Sequence, residues 1–265
     1  VGKKIKKVTS DPSDSIDGQM WYNSTTGSIR GLSIIEAWSS GAPLSTARQS
    51  MGDAGTQTAN LCIGGYVTAE VTTTEEYDGT DWTAGGALPA AKNSGASFGT
   101  QTAAVYAGGG IAPNSTAADT TTEYDGSSWT AGGALNTTRD QVGGFGTLTA
   151  GVAAGGTPDG GALSGSTEEY NGSTWTAGEN LATSIRGSHN SGAGVLTSGL
   201  LVGGGDADGT GQVTVQEYDG TDWTAGTDLP AGKTGSATSG TSQTAVLSFG
   251  GYNPGGQLNT TQLYD

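Results

Sequence analysis

An all-β chain, folded as a five-bladed β-propeller with a short N-terminal β-hairpin arm, is what this sequence predicts, and three observations carry that reading. Tryptophans recur at Trp38, Trp82, Trp129, Trp175 and Trp223, separated by 44, 47, 46 and 48 residues. A tyrosine stands five residues before four of them (Tyr77, Tyr124, Tyr170 and Tyr218), and Tyr264 repeats the phase next to the last residue. Glycine pairs keep the same interval: Gly64-Gly65, Gly108-Gly109, Gly155-Gly156, Gly203-Gly204 and Gly250-Gly251. A fixed period of about 20–50 residues marks solenoids and propellers, and a unit of about 45 residues with four strands is a propeller blade.

Each unit justifies four strands in order. One cation opens it, ten or eleven residues past a tryptophan: Arg48, Lys92, Arg139, Arg186 and Lys233. A small-residue stretch such as Ser94–Phe98 comes next, then a Gly-Thr turn and an apolar run ending in glycines, such as Ala103–Ala107 before Gly108. A polar loop of variable length leads to Thr-Glu-Tyr, whose alternation marks the third strand. Asp125-Gly126, or Asn171-Gly172 in the next copy, supplies a tight turn into the tryptophan strand, because Asn and Gly tolerate positive φ. The last set, Lys233 to Tyr264, lacks its own tryptophan strand, while Ile34–Ser39 precedes the first full set. Strand 34–39 is therefore expected to complete the fifth blade and remove an exposed sheet edge. The expected organisation is a docking arm and hairpin over 1–33 and a propeller over 34–265.

The order cation, apolar strand, Gly-Gly, loop, Glu-Tyr-Asp, short turn and Trp resembles kelch repeats over residues 38–265. That resemblance implies a propeller and says little about function. Composition alone points the other way. Only 38 of the 265 residues are Leu, Ile, Val or Phe, a fraction that usually accompanies disorder. The repeat overrides this, because Trp and Tyr each bury roughly 150–250 Å² and the 49 glycines let neighbouring sheets approach.

Charge and composition exclude several functions. The formal net charge is -15, so a phosphate backbone is repelled and nucleic-acid binding is not expected. No run of about 18 apolar residues exists, so no membrane insertion is expected. Cys62 and His189 are single residues of their kind, which leaves no internal disulfide and no Cys/His zinc site. No nucleophile–base set is visible, and no enzyme is expected.

The five blade-opening cations are the strongest candidate site. As a ring near one channel mouth, Arg48, Lys92, Arg139, Arg186 and Lys233 suit an anion such as a carboxylate or sulfated sugar, and three arginines are similar to the carboxylate clamp of propeller sialidases. The structural alternative pairs each cation with the acid before its tyrosine: Glu76, Glu123, Glu169 or Glu217, with Leu263 in the fifth copy. Asp206 and Asp208, before Gly209, form a candidate calcium pair, since hard oxygen ligands suit Ca²⁺; no other cofactor is expected. The loops before Glu-Tyr differ most between copies and are polar, which suits a broad contact surface.

The first eight residues are too short and too interrupted by charge for a secretory leader, and the initial valine reads as what removal of an initiator Met leaves. Residues 17–29 read as a hairpin. Its Gly18-Gln-Met-Trp-Tyr-Asn-Ser-Thr-Thr-Gly27 run resembles the GQ-x-WYN-x-TTG segments of head- and tail-associated structural proteins of tailed phages, marine ones in particular. The resemblance implies a bacteriophage virion protein, tail-associated or fibre. Such a protein would be non-enzymatic, sit in a symmetric assembly with other virion proteins, and present its loops to a host-surface glycan or a subunit. Lys3, Lys4, Lys6, Lys7, Trp21 and Tyr22 are the expected docking residues, the lysines as an electrostatic latch. A head decoration protein and a secreted kelch-type carbohydrate-binding module are the alternatives.

Overall fold

The computed structural model describes residues 6–10, 12, 20–31, 40–113, 116–159, 161–186 and 191–264. The expected closing strand 34–39, together with Lys3, Lys4 and His189, lies outside the described residues. The chain divides into two compact units, Val1–Gly41 and Ala42–Asp265. Among the described residues every regular element is a strand.

In the first unit, Met20–Asn23 and Ser28–Gly31 form the expected hairpin, with Tyr22 opposite Ile29. The turn between them is organised by Asn23, whose Oδ1 accepts the backbone N–H groups of Thr25 and Thr26 at 3.0 and 3.2 Å. Lys6–Val8 adds a third strand, parallel to Met20–Asn23, which the sequence pattern does not foreshadow. Burial alternates along the central strand, with Trp21 and Asn23 buried and Met20 and Tyr22 exposed.

Among the described residues the second unit holds four four-stranded antiparallel sheets and a three-stranded one, each in chain order, besides a small three-stranded and a two-stranded sheet in the connecting loops. The first is Gly52–Thr56, Ala59–Ile63, Thr74–Tyr77 and Trp82–Ala84. The second is Ala96–Thr100, Ala103–Ala107, Thr121–Tyr124 and Trp129–Ala131. The third is Gly143–Thr147, Ala150–Ala154, Thr167–Tyr170 and Trp175–Gly178. The fourth is Gly192–Val195, Ser198–Val202, Val215–Tyr218 and Trp223–Ala225. The fifth is Ala237–Gly240, Val246–Phe249 and Thr261–Tyr264. Residues from the first strands of all five sheets, including Asp53, Ser97, Gly144, Ala193 and Thr238, line one shared cavity.

Two side chains per repeat bind each sheet to the one before it. The indole N–H of Trp129 donates to Thr74 Oγ1 at 3.0 Å, and Trp175 and Trp223 donate to Thr121 and Thr167 at 2.9 Å. The phenol of Tyr124 donates to Glu76, Tyr170 to Glu123, Tyr218 to Glu169 and Tyr264 to Glu217. Within a sheet the two rings stack at a tilt, with centroids 4.9 Å apart for Tyr124 and Trp129. Burying one such tryptophan contributes about 4–6 kcal/mol before entropic costs.

The apolar clusters sit at the same joints. Leu61, Ile63 and Leu88 of the first repeat enclose Tyr124 and Trp129 of the second. Phe98 and Val105 meet Tyr170 and Trp175, and Phe145 and Val152 meet Tyr218 and Trp223. Glycine permits this spacing where the sheets come closest: a Cβ on Gly151 would stand 2.2 Å from the Phe98 ring, and one on Gly199 2.0 Å from Phe145. Between the fourth and fifth sheets the cluster is Leu200, Val202, Val215 and Val246, with Leu229 and Tyr264 half-buried against it; it contains no tryptophan among the described residues.

Burial and the neighbouring carboxylates push the phenols of Tyr124 and Tyr170 up to about 12. An unfolded tyrosine titrates near 10, so the folded chain retains phenolic protons that the unfolded chain releases. The stabilisation is fully present below about pH 10 and is lost as pH rises through about 12. Urea unfolding midpoints are expected to hold up to about pH 9 and fall steeply between about pH 10 and 12. Tyr170→Phe is expected to cost about 1.5 kcal/mol at about pH 8 and to flatten that decline; an unchanged alkaline limb would count against the Tyr–Glu joints.

Candidate functional site

The five cations enter their sheets at equivalent places, but the structure treats them differently. Arg48 forms an ion pair with Glu75 at 2.9 Å, with both side chains buried, and its Nε lies 3.4 Å from Cys62 Sγ. Arg139 is fully buried. It pairs with Glu168 at 2.8 Å and donates through Nη1 to the carbonyls of Gly155 and Ser166 at 2.8 and 2.7 Å. Lys92 is buried, donates to the Thr120 carbonyl at 2.9 Å and lies 5.6 Å from the centre of the Tyr106 ring. Desolvation pulls its ammonium down to about 8. Lys233 is fully buried, and its Nζ has no hydrogen-bond partner among the described residues.

The acids that meet the arginines are not those expected before the tyrosines. Glu75 and Glu168 stand one residue earlier than Glu76 and Glu169. Alternation along the strand explains the difference, since neighbouring residues face opposite sides of a sheet. Thr74 and Glu76 face the following sheet, where they receive Trp129 and Tyr124; Glu75 faces the other way, towards Arg48. The alternation is readable in Thr-Glu-Glu-Tyr, and it is the signal that points to Glu75 and Glu168.

These inward acids also receive the segment that crosses from one sheet to the next. Asn136 N–H donates to Glu168 at 2.7 Å, and Thr183 N–H donates to Gln216, which holds the equivalent place, at 3.0 Å. Ser45 N–H donates to Glu75 at 2.8 Å in the same way. Residues entering the first sheet thus take the path used between later sheets.

Arg186 is the exception among the cations. Its sheet carries Gln216 in place of the acid, and Gln216 is occupied with Thr183. The guanidinium lies instead along the glycine loop, where a Cβ on Gly209 would stand 2.4 Å from Nη2. With Asp140, Gln141, Thr157 and Asp159 it lines a polar cavity of about 170 Å³. Burial raises the Asp140 carboxyl to about 6. None of the five cations lines the central cavity.

Asp206 uses its carboxylate within its own loop. Its Oδ1 accepts the N–H groups of Asp208 and Thr210 at 3.0 and 2.8 Å, and its Oδ2 accepts the Gln212 amide at 3.0 Å. Among the described residues no group of three or more His, Cys, Asp or Glu side chains gathers as a metal-binding cluster. In the first unit, Trp21 is buried in the hairpin, while Tyr22, Met20 and Ile29 are exposed; Lys7 is exposed beside Tyr22 in the strand register.

No family model matches this chain, and no curated protein does. The chain is similar in fold to the solved structure of YjhT, a β-propeller-like protein, with a TM-score of 0.67 at 12% identity, covering 82% of this chain and 81% of that one. The fold is β-propeller-like.

The two arginine environments separate in a stability measurement. Arg139→Ala leaves the Glu168 carboxylate buried without its ion pair and is expected to cost about 3–5 kcal/mol, most of which Arg139→Met combined with Glu168→Leu restores. Arg186→Ala is expected to cost less than about 1 kcal/mol. Equal losses at both positions in chemical denaturation would contradict this division.

Proposed function

We propose that this chain is a non-enzymatic structural protein of a bacteriophage particle, tail-associated or fibre, in which a five-bladed propeller presents its loops to a host surface or a neighbouring subunit. The carrying observation is the hairpin at residues 20–31. The run that resembles phage structural proteins folds in a unit of its own, with Trp21 and Asn23 turned in and Met20, Tyr22 and Ile29 turned out. A buried indole fixes the hairpin, and the exposed face is what a docking arm offers. The flanking lysines, Lys3, Lys4, Lys6 and Lys7, complement an acidic partner in the particle.

The five-blade reading is supported by the five first strands around one cavity and by the three-stranded fifth sheet, whose last strand, Thr261–Tyr264, has no outer neighbour among the described strands. Residues 34–39 are the fourth strand of that sheet in this reading. The Ser45–Glu75 bond supports it, because the equivalent bonds elsewhere come directly after the outer strand of the preceding sheet. The non-enzymatic reading is supported by what the repeated charged groups do: Arg48, Lys92 and Arg139 are engaged inside the sheets, and the Glu before each of Tyr77, Tyr124, Tyr170 and Tyr218 accepts a phenol from the following sheet.

Two measurements test these readings. Particles assembled with a chain lacking residues 1–30 are expected to lose the protein; undiminished incorporation would refute the docking arm. Deleting residues 34–39 is expected to lower the melting temperature by about 10 °C or more, and an unchanged value would refute the shared fifth blade.

A further inference from the structure

We infer that the interior of the fifth sheet binds one small monovalent anion of chloride size, held as the counter-ion of Lys233 between Ser236 and Ser248. The site lies wholly within the second unit and is independent of the role proposed above for the chain in a particle. Lys233 occupies the place of Lys92 and Arg139. The N–H of each donates to the loop before the third strand: Lys92 to Val71 at 3.3 Å, Arg139 to Ala118 at 2.9 Å and Lys233 to Gln212 at 3.1 Å. The carbonyl of each accepts the second glycine of a pair, Gly65, Gly109 or Gly204.

From this place Arg139 reaches Glu168, so an acid of its own sheet cancels its charge. Lys92 finds Thr122 where that acid would stand, opposite Tyr106 in the register. It donates instead to the Thr120 carbonyl and lies over the Tyr106 ring. Lys233 has neither solution. Gln262 takes the place of the acid and Ser248 the place of Tyr106, the two standing opposite each other. The ammonium is fully buried, and Nζ has no hydrogen-bond partner among the described residues. Desolvation pulls it down with no carboxylate named against that effect, whereas Asp119 opposes the same effect at Lys92. A buried ammonium without a counter-charge is strongly disfavoured.

The neighbouring groups supply donors and room. In the second sheet the Tyr106 phenol extends to Gly95, whose N–H it accepts at 3.0 Å, and a Cβ on Gly95 would stand 2.8 Å from the ring. In the fifth sheet Ser236 stands where Gly95 does, so two serines border the space that one phenol ring fills. Both hydroxyls are buried without a partner among the described residues. An ammonium only donates, and a hydroxyl carries one donor. One anion accepting from all three satisfies the hydroxyls and cancels the charge. The space of a ring less two hydroxymethyl groups suits a single halide ion rather than a sulfate or a sugar. Gln262 Oε1 is also buried and unpartnered among the described residues. Pro230 explains this: seven residues after Trp223, it stands where Asn136 donates its N–H to Glu168, and proline has no N–H. A bond from Nζ to that oxygen would satisfy both atoms and still leave the charge uncancelled.

The test melts the full chain in sodium chloride and in sodium gluconate, each at about 0.1 M so that screening is equal. Gluconate is too large for the site. The parent chain is expected to melt about 3 °C higher in chloride. Lys233→Met removes the charge, and Gln262→Glu supplies the acid that Arg139 finds in Glu168; each is expected to abolish the difference between the salts. Gln262→Glu is also expected to melt above the parent in gluconate. Equal melts of the parent in both salts overturn the site. A chloride shift that survives in either variant overturns it as well, since the ion would then act elsewhere on the chain. Should either variant not fold, a crystal of the parent soaked in bromide decides: an anomalous peak beside Lys233 Nζ is expected, and its absence overturns the inference.

Discussion

The joint between consecutive sheets is the interaction on which the rest of this structure depends. A chain with so few branched aliphatic residues cannot fill a conventional core, and it stacks sheets face to face instead. Each joint among the first four sheets combines an indole that donates to a threonine with a phenol that donates to a carboxylate, and in the second and third of these a phenylalanine packs against a glycine. Burial of the aromatic rings supplies the driving force. The two polar bonds then fix how the sheets meet, because both donors would otherwise be buried unsatisfied or forced back towards water. The long glycine and threonine runs, which suggest disorder in isolation, are the surfaces that allow the rings to seat.

The charged residues divide between holding the sheets together and facing the loops. Glu75 and Glu168 point inward to an arginine, while Glu76, Glu123, Glu169 and Glu217 point towards the following sheet and receive a phenol. A carboxylate in each role gains a charge-assisted hydrogen bond, so one Glu-Glu-Tyr triplet serves a sheet and its successor together. Arg186 shows the effect of losing the inward acid: with Gln216 in its place, the guanidinium leaves the interior and joins Asp140 and Asp159 around a polar cavity near the variable loops. The repeat builds the scaffold, and departures from it create local chemistry.

Much of this is legible in the sequence, for a physical reason. The positions that make the joints must recur wherever a sheet recurs, so the tryptophan, tyrosine, glycine-pair and cation periods expose the four-stranded units and their order. The partner of each arginine lies one residue from the expected one, Glu75 rather than Glu76, because the two-residue alternation of a strand outweighs proximity to the tyrosine. The parallel pairing of Lys6–Val8 with Met20–Asn23 carries no readable signal; three residues so short of apolar pattern specify no partner. The small hairpins inside the variable loops, such as Gly110–Ile111 with Thr116–Ala117, escape for the same reason, since they are too short for periodicity to appear.

The breaks in the repeat are as informative as the repeat. Glu217 of the fourth sheet still receives Tyr264 of the fifth, so the last described joint keeps its phenol bond even though its described cluster lacks an indole. At the other end, Leu263 occupies the place of Glu76 and is 79% exposed, and Tyr77 and Trp82 are only half-buried, whereas Tyr124 and Trp129 are buried. The fifth sheet therefore carries no carboxylate in the place that receives a phenol at the four described joints. In a molecule held together joint by joint, sheets part most readily where the shared bonds are fewest.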